Sequence, residues 1–191
     1  MEKGLLALFC VLAFLSACGD LSSTPREDVP AISETKRELA TLLSEKALSI
    51  LQAPDSLELL SLEPNRYGEF DPAKDPSPHL HGFKIEGRAM LDANEIEPIL
   101  KAYFESAAES NGQHSNCLRP RHGLIATEGK DRVELVISFP CWHSRLYLNG
   151  ERQADLAHSQ RALEHFDAIA RAHKLPVFGA ELSLSKDASS D

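Results

Sequence analysis

Apolar residues recur along this chain at two periods, every three or four positions in some stretches and every second position in others, and those periods define its elements. Thr35-Lys36-Arg37-Glu38 has capping-box spacing and is followed by Leu39, Leu42, Leu43, Ala47 and Leu51, predicting a helix over 36–52 that stops before Pro54. Residues 56–63 (SLELLSLE) predict a strand, and 64–79, with Pro64, Pro72, Pro76 and Pro78, a loop. Phe83, Ile85, Gly87, Ala89 and Leu91 alternate with Lys84, Glu86 and Arg88, as in a strand with one buried face. Asn94-Glu95-Ile96-Glu97 again has cap spacing, with Pro98 in the first helical turn. Ile96, Ile99, Leu100, Tyr103, Phe104 and Ala107 then form the apolar stripe of a helix to about Ser110.

Residues 123–139 predict a hairpin that turns at Glu128-Gly129-Lys130-Asp131, with Val133, Leu135, Ile137 and Phe139 alternating with Glu134, Val136 and Ser138. A short strand over 145–148 precedes the turn pair Asn149-Gly150. Ser159 begins a last helix that carries Leu163, Phe166, Ile169 and Ala170 and stops before Pro176. The order is helix, two strands, helix, three strands, helix. This predicts a single α+β domain over 34–182, an antiparallel sheet of about five strands packed with two to three helices. The tail, 183–191, reads as disordered.

Ahead of that domain the pattern changes. Lys3 is followed by an uncharged stretch, 4–17, too short to span a bilayer core but of the length of a signal-peptide apolar region. Leu15-Ser16-Ala17-Cys18 resembles the lipobox of bacterial lipoproteins. The resemblance implies a signal peptide over 1–17, removed before Cys18, and a lipid on the Cys18 thiol that anchors the mature chain to a membrane. Gly19, rather than Asp, follows that cysteine, which by the same resemblance mildly favours an outer membrane where the host has one. Residues 19–33 are rich in Ser, Pro and Asp and lack apolar periodicity. They predict a disordered tether with a reach on the order of 20 Å.

Composition adds two exclusions. A hydrophobic fraction of 42% and a charged fraction of 26% over 191 residues suit one globular domain with a real core. A net charge of -9 argues against a nucleic-acid partner, which needs a basic face, and against electrostatic adhesion to anionic lipid. Membrane attachment therefore falls to the lipid.

Of four cysteines, Cys10 leaves with the leader and Cys18 takes the lipid, so Cys117 and Cys141 remain in a compartment that permits disulfides. The hairpin pairs residues whose numbers sum to about 258–260, and Cys117 with Cys141 fits that register if both arms stay extended. Pro120 and Pro140 stand against an unbroken ladder.

The segment Asn116-Cys117-Leu118-Arg119-Pro120-Arg121-His122-Gly123, with Ile137-Ser138-Phe139-Pro140-Cys141, resembles an uncharacterised bacterial family that carries Cys-x-x-Pro-Arg-His-Gly and a second cysteine at the end of a later strand. The resemblance covers roughly residues 80–150 and implies no particular activity. Three chemistries remain open here. The two cysteines form a disulfide. Or Cys117, His122, Cys141 and His143 hold a metal, two thiolates and two imidazoles being a legitimate zinc set. Or one cysteine is a nucleophile activated by the neighbouring arginines and His122. Arg119, Arg121, His122 and His143 also form a candidate anion-binding corner.

Elsewhere, His79-x-His81 opens a strand that would put both imidazoles on one face, near Glu69, Asp71 and Asp75. His158, His165 and His173 fall on the last predicted helix, too far apart to share an ion. No Gly-rich phosphate loop, Gly-x-Ser-x-Gly or His-Glu-x-x-His occurs, so no cofactor is expected. The expectation is a lipid-anchored, non-enzymatic envelope domain that binds or scaffolds a small ligand or an envelope protein. The alternatives are a metal or thiol enzyme centred on the Cys/His set, and a passive structural lipoprotein.

Overall fold

The computed structural model describes residues 42–178, apart from 66, 67, 69 and 72. The expected signal peptide, Cys18, tether and tail, the start of the first helix, and Glu69 lie outside the described residues. Among those described, no helix is long and apolar enough to cross a membrane.

The elements in chain order are α1 (Glu45–Gln52), β1 (Ser56–Leu62), β2 (His79–Leu80), β3 (Phe83–Met90), α2 (Ala93–Ala108), β4 (His122–Glu128), β5 (Asp131–Ser138), β6 (His143–Leu148), β7 (Glu151–Ala157) and α3 (Leu163–Ala172). The strands form one antiparallel sheet in the order β2-β3-β1-β4-β5-β6-β7. The fold is α+β, with seven strands where the sequence predicts about five. The two missed strands lack an apolar signal. β2 has two residues between a proline-rich loop and a turn, and β7 reads ERQADLA, with only Leu156 buried.

Three helix boundaries also move. Ser44 is extended, its Oγ accepts from the Ala47 N–H, and α1 starts after it, so a helix continuous over 36–52 is broken there. α2 is capped two residues earlier than its spacing suggests. The Asp92 carboxylate accepts from the Asn94 and Glu95 N–H groups, and Glu95 returns a bond to the Asp92 N–H, which leaves Pro98 beyond the first turn. Ser159 does not cap α3. Its Oγ accepts from Arg161 N–H in a turn, and the helix begins at Leu163.

The three described helices pack on one face of the sheet. Ile50, Ile99, Tyr103 and Phe166 meet Leu59, Leu124, Leu135 and Leu146 there in the main core. The other face has its own cluster, in which Leu60, Leu62, Phe83 and Ile85 pack with Leu118, Val136 and Tyr147. A bulge makes this second cluster. The β1–β3 register jumps from Ser61 opposite Gly87 to Leu62 opposite Ile85, leaving Glu86 over. One extra residue reverses the alternation, so Gly87 faces the helices while Phe83 and Ile85 face the second cluster. The strand expected to bury a single face therefore contributes to both. For the same reason β5 is buried on both sides, and Glu134, Val136 and Ser138 are as enclosed as Val133, Leu135 and Ile137.

On the helical face the segment after α3 closes over β1 and β3. Ser61 Oγ donates to the Pro176 carbonyl, and a Cβ on Gly87 would stand 3.0 Å from Leu175 Cδ2 and 3.2 Å from Pro176 Cδ. Gly87→Ala should therefore push this segment off the sheet. In urea titrations we expect a lower midpoint at unchanged slope and a loss of about 1–3 kcal/mol. No loss would mean that the segment yields freely.

Candidate functional site

β4 and β5 pair from Glu128 opposite Asp131 to His122 opposite Ile137, around the expected turn, with Gly129 at φ 59°. Past His122 and Ser138 both arms leave the ladder. Phe139–Cys141 coil into one 3-10 turn with Pro140 inside it, and the other arm runs on irregularly through Pro120. The prolines break the ladder but not the approach. Arg121 N–H still reaches the Ile137 carbonyl, Arg119 N–H reaches Ser138 Oγ, and Cys117 is disulfide-bonded to Cys141 with the Cα atoms 5.6 Å apart. Trp142 completes the corner in the left-handed region at φ 60°. Its N–H bonds back to Phe139, and the residue is 46% exposed.

Beside the disulfide opens a cleft of about 750 Å³, on the sheet face opposite the helices. Cys117, Asn116, His114 and Arg119 line it from the irregular segment, His143 and Arg145 from β6, and Asp155 from β7. His143 and Arg145 reach it because residues two apart on a strand share a face. Asp155 joins because it stands opposite Arg145 in the β6–β7 register, its Oδ1 3.8 Å from Arg145 Nε.

The His143 ring lies tilted against His114, with centroids 4.8 Å apart. Its Nδ1 sits 3.2 Å from the Cys141 carbonyl, which only accepts, so Nδ1 carries the proton and Nε2 is left as the acceptor. Burial holds the His143 pKa below its ordinary value. The charges of His114 and Arg145 act in the same direction, against the Cys141 carbonyl and Asp155.

The four residues of the expected anion corner do not stay together. Arg119 and His143 line the cleft, whereas Arg121 does not. His122 is on the other face, buried against the Phe139 and Phe166 rings, with Nε2 3.1 Å from Asp167 Oδ1 of α3. Nor do Cys117, His122, Cys141 and His143 form a metal set. The sulfurs are bonded to each other, the histidines are on opposite faces, and no group of three or more metal-ligating side chains gathers among the described residues. The disulfide likewise engages the sulfur that a cysteine nucleophile would need.

His79 and His81 also part. His79 is exposed in β2, while His81, at φ 48°, folds back over the second cluster. It stacks on Tyr147 at 3.4 Å and bonds Glu134, Nε2 to Oε2, at 2.9 Å. Burial raises the Glu134 pKa, but the His81 hydrogen bond and the charges of His81 and Arg132 outweigh it and hold the carboxyl below its ordinary range. Asp71 and Asp75 serve their own loop, accepting from the Ala73 and Ser77 N–H groups. His158 precedes α3, His165 lies within it and His173 ends it, against Glu95. Sequence reasoning missed His114, Arg145 and Asp155. His143-x-Arg145 was a readable signal for one strand face, but His114 and Asp155 arrive only through the tertiary fold.

Two measurements follow. Protein expressed into an oxidising compartment and purified without reductant should show Cys117 and Cys141 inert to alkylation. Replacing both by alanine should cost roughly 3 kcal/mol on the chain-entropy argument, and two reactive thiols in the purified protein would remove the bond.

The second concerns pH. Burial lowers the pKa of both His158 and His143 from the ordinary 6.5. Each is held neutral by the fold while the unfolded chain takes up a proton first. Their stabilisation is thus complete above about pH 6.5 and is lost as pH falls through the lowered values. Urea midpoints should be flat near neutrality and decline below that point, ahead of any loss from Glu134, whose window lies below the ordinary 4.5. His158→Phe, which keeps the ring contacts with Tyr103 and Phe139, should flatten the decline. An equally steep decline in that variant would clear His158 of the effect. Comparison with protein-family models, curated proteins and solved structures returns no match, so the functional reading rests on the residues themselves.

Proposed function

We propose that this chain is a lipid-anchored lipoprotein of the bacterial cell envelope whose domain is a non-enzymatic binding or scaffolding module. The leader supports the address: Lys3, the uncharged stretch 4–17 and Leu15-Ser16-Ala17-Cys18 before a polar tether. A cystine between Cys117 and Cys141 suits an oxidising compartment. Gly19 after the anchored cysteine mildly favours the outer membrane, with the domain in the periplasm or on the cell surface.

The observation that carries the binding reading is the cleft beside the disulfide, where side chains of both charge signs and two imidazoles converge on a rigid corner. The thiol chemistry of the enzyme alternative would need a thiolate, and the cystine is the competing use of both sulfurs. A passive structural lipoprotein would have no use for such a cleft.

Cells fed a palmitate analogue should label the wild-type protein and not Cys18→Ser; an unlabelled wild type would overturn the address. For binding, a photo-reactive side chain at Asn116, exposed on the cleft wall, should give a discrete adduct in living cells. The same group at Lys101, an exposed position on α2, should not. Equal labelling at both positions, or none, would favour the passive role.

A further inference from the structure

The cleft reverses the charge balance of the chain. Across the sequence 29 acidic residues outnumber 20 basic ones. The cleft, in contrast, is lined by two arginines, Arg119 and Arg145, against a single carboxylate, Asp155, with the His114 and His143 imidazoles beside them. Low-dielectric walls concentrate such a local excess, so an anion repelled by the surface as a whole still meets a favourable potential here. The walls are held in place before any ligand arrives. The disulfide ties the irregular segment to the 3-10 turn, and Ser115 N–H bonds the Cys141 carbonyl. His143 is fixed by its Nδ1 bond to that same carbonyl, and Arg145 by its place opposite Asp155. Preorganised donors bind without the entropy cost of ordering them.

Resting on the reading of this cleft as the domain's ligand site, we infer that it takes a small ligand through a compact oxyanion group, a carboxylate or a phosphate. Arg119 supplies the accessible guanidinium, and Arg145, shared with Asp155, a second positive charge. His143, whose ring faces the cleft beside Arg145, strengthens the site on protonation. The groups that face His143 are His114 from the irregular segment, Arg145 on its own strand, Asp155 from β7 and His158 just after β7. Of these, His114 and Arg145 resist a proton on His143, while Asp155 favours one together with the Cys141 carbonyl. A bound oxyanion would stand beside the imidazole as a second favouring charge, so anion binding and proton uptake assist each other.

The test uses the full chain in detergent, with histidines labelled for NMR at the ring carbon. Sulfate and fumarate are the probes, with chloride at matched ionic strength as the control. Both probes stay essentially doubly charged between about pH 5.5 and 7.5, so a change in affinity reports the protein's own groups. Expected are saturable shifts of His114 and His143, absent from His79 and His173, and binding about threefold or more tighter at the acid end. Arg119→Glu, at an exposed position, should weaken binding about tenfold or more with the disulfide and melting temperature retained.

A response to either probe supports the inference, sulfate alone selecting a phosphate-like ligand and fumarate alone a carboxylate. Shifts that chloride reproduces, that never saturate, or that survive Arg119→Glu would overturn it. If the anions fail while the Asn116 photo-adduct persists, the ligand class is wrong and the binding module stands. If both fail, the cleft is not the ligand site.

Discussion

A strand that is apolar on both faces cannot leave either one in water, and β5 imposes that requirement on the whole domain. Val133, Leu135 and Ile137 need cover on one side and Val136 on the other, where Glu134 is enclosed beside it. Helices satisfy the first need. The second is met by the sheet itself, which curls until the β2–β3 hairpin lies across the far face. The curl depends on one surplus residue, Glu86, because the bulge turns Phe83 and Ile85 toward the roof while Gly87 stays under the segment 174–177. Glu134 is enclosed by the same movement and stays charged because His81 and Arg132 close on it.

The architecture was readable where period and burial coincide. β1, β3, α2 and the β4–β5 hairpin lie within a few residues of their apolar patterns, since each buries a full face or stripe. β7 was not readable. It is an edge strand with one buried residue, and an edge needs only backbone pairing. The single-face reading of β3 failed because a bulge leaves no trace in a two-residue period. At the site, the disulfide was legible from register and cysteine arithmetic. His122 misled because its neighbours in sequence, Arg119 and Arg121, lie beyond the point where the chain joins the ladder. Within β4, even-numbered side chains such as His122 and Leu124 point to the helices, away from the cleft.

The cleft follows from how the β4–β5 pair ends. An uninterrupted ladder past Ser138 would lay the two arms flat against each other and leave no recess. Pro120 and Pro140 force both arms out of the sheet, and the disulfide then stops them from spreading. What remains is a gap with fixed walls, into which β6 and β7 present alternate side chains. The hairpin's imperfection is therefore what gives the domain a concave surface.

The position of the disulfide also bears on how the domain is assembled. β4, β5, β6 and β7 follow one another by short turns, so their pairing is local, whereas β1 must travel to sit between β3 and β4. Zipping outward from Gly129 brings Cys117 and Cys141 together without help from α1 or β1. The expected order is strand pairing first, oxidation second and insertion of β1 last. The domain would then gain its covalent brace within residues 117–141, before β1 has taken its place between β3 and β4.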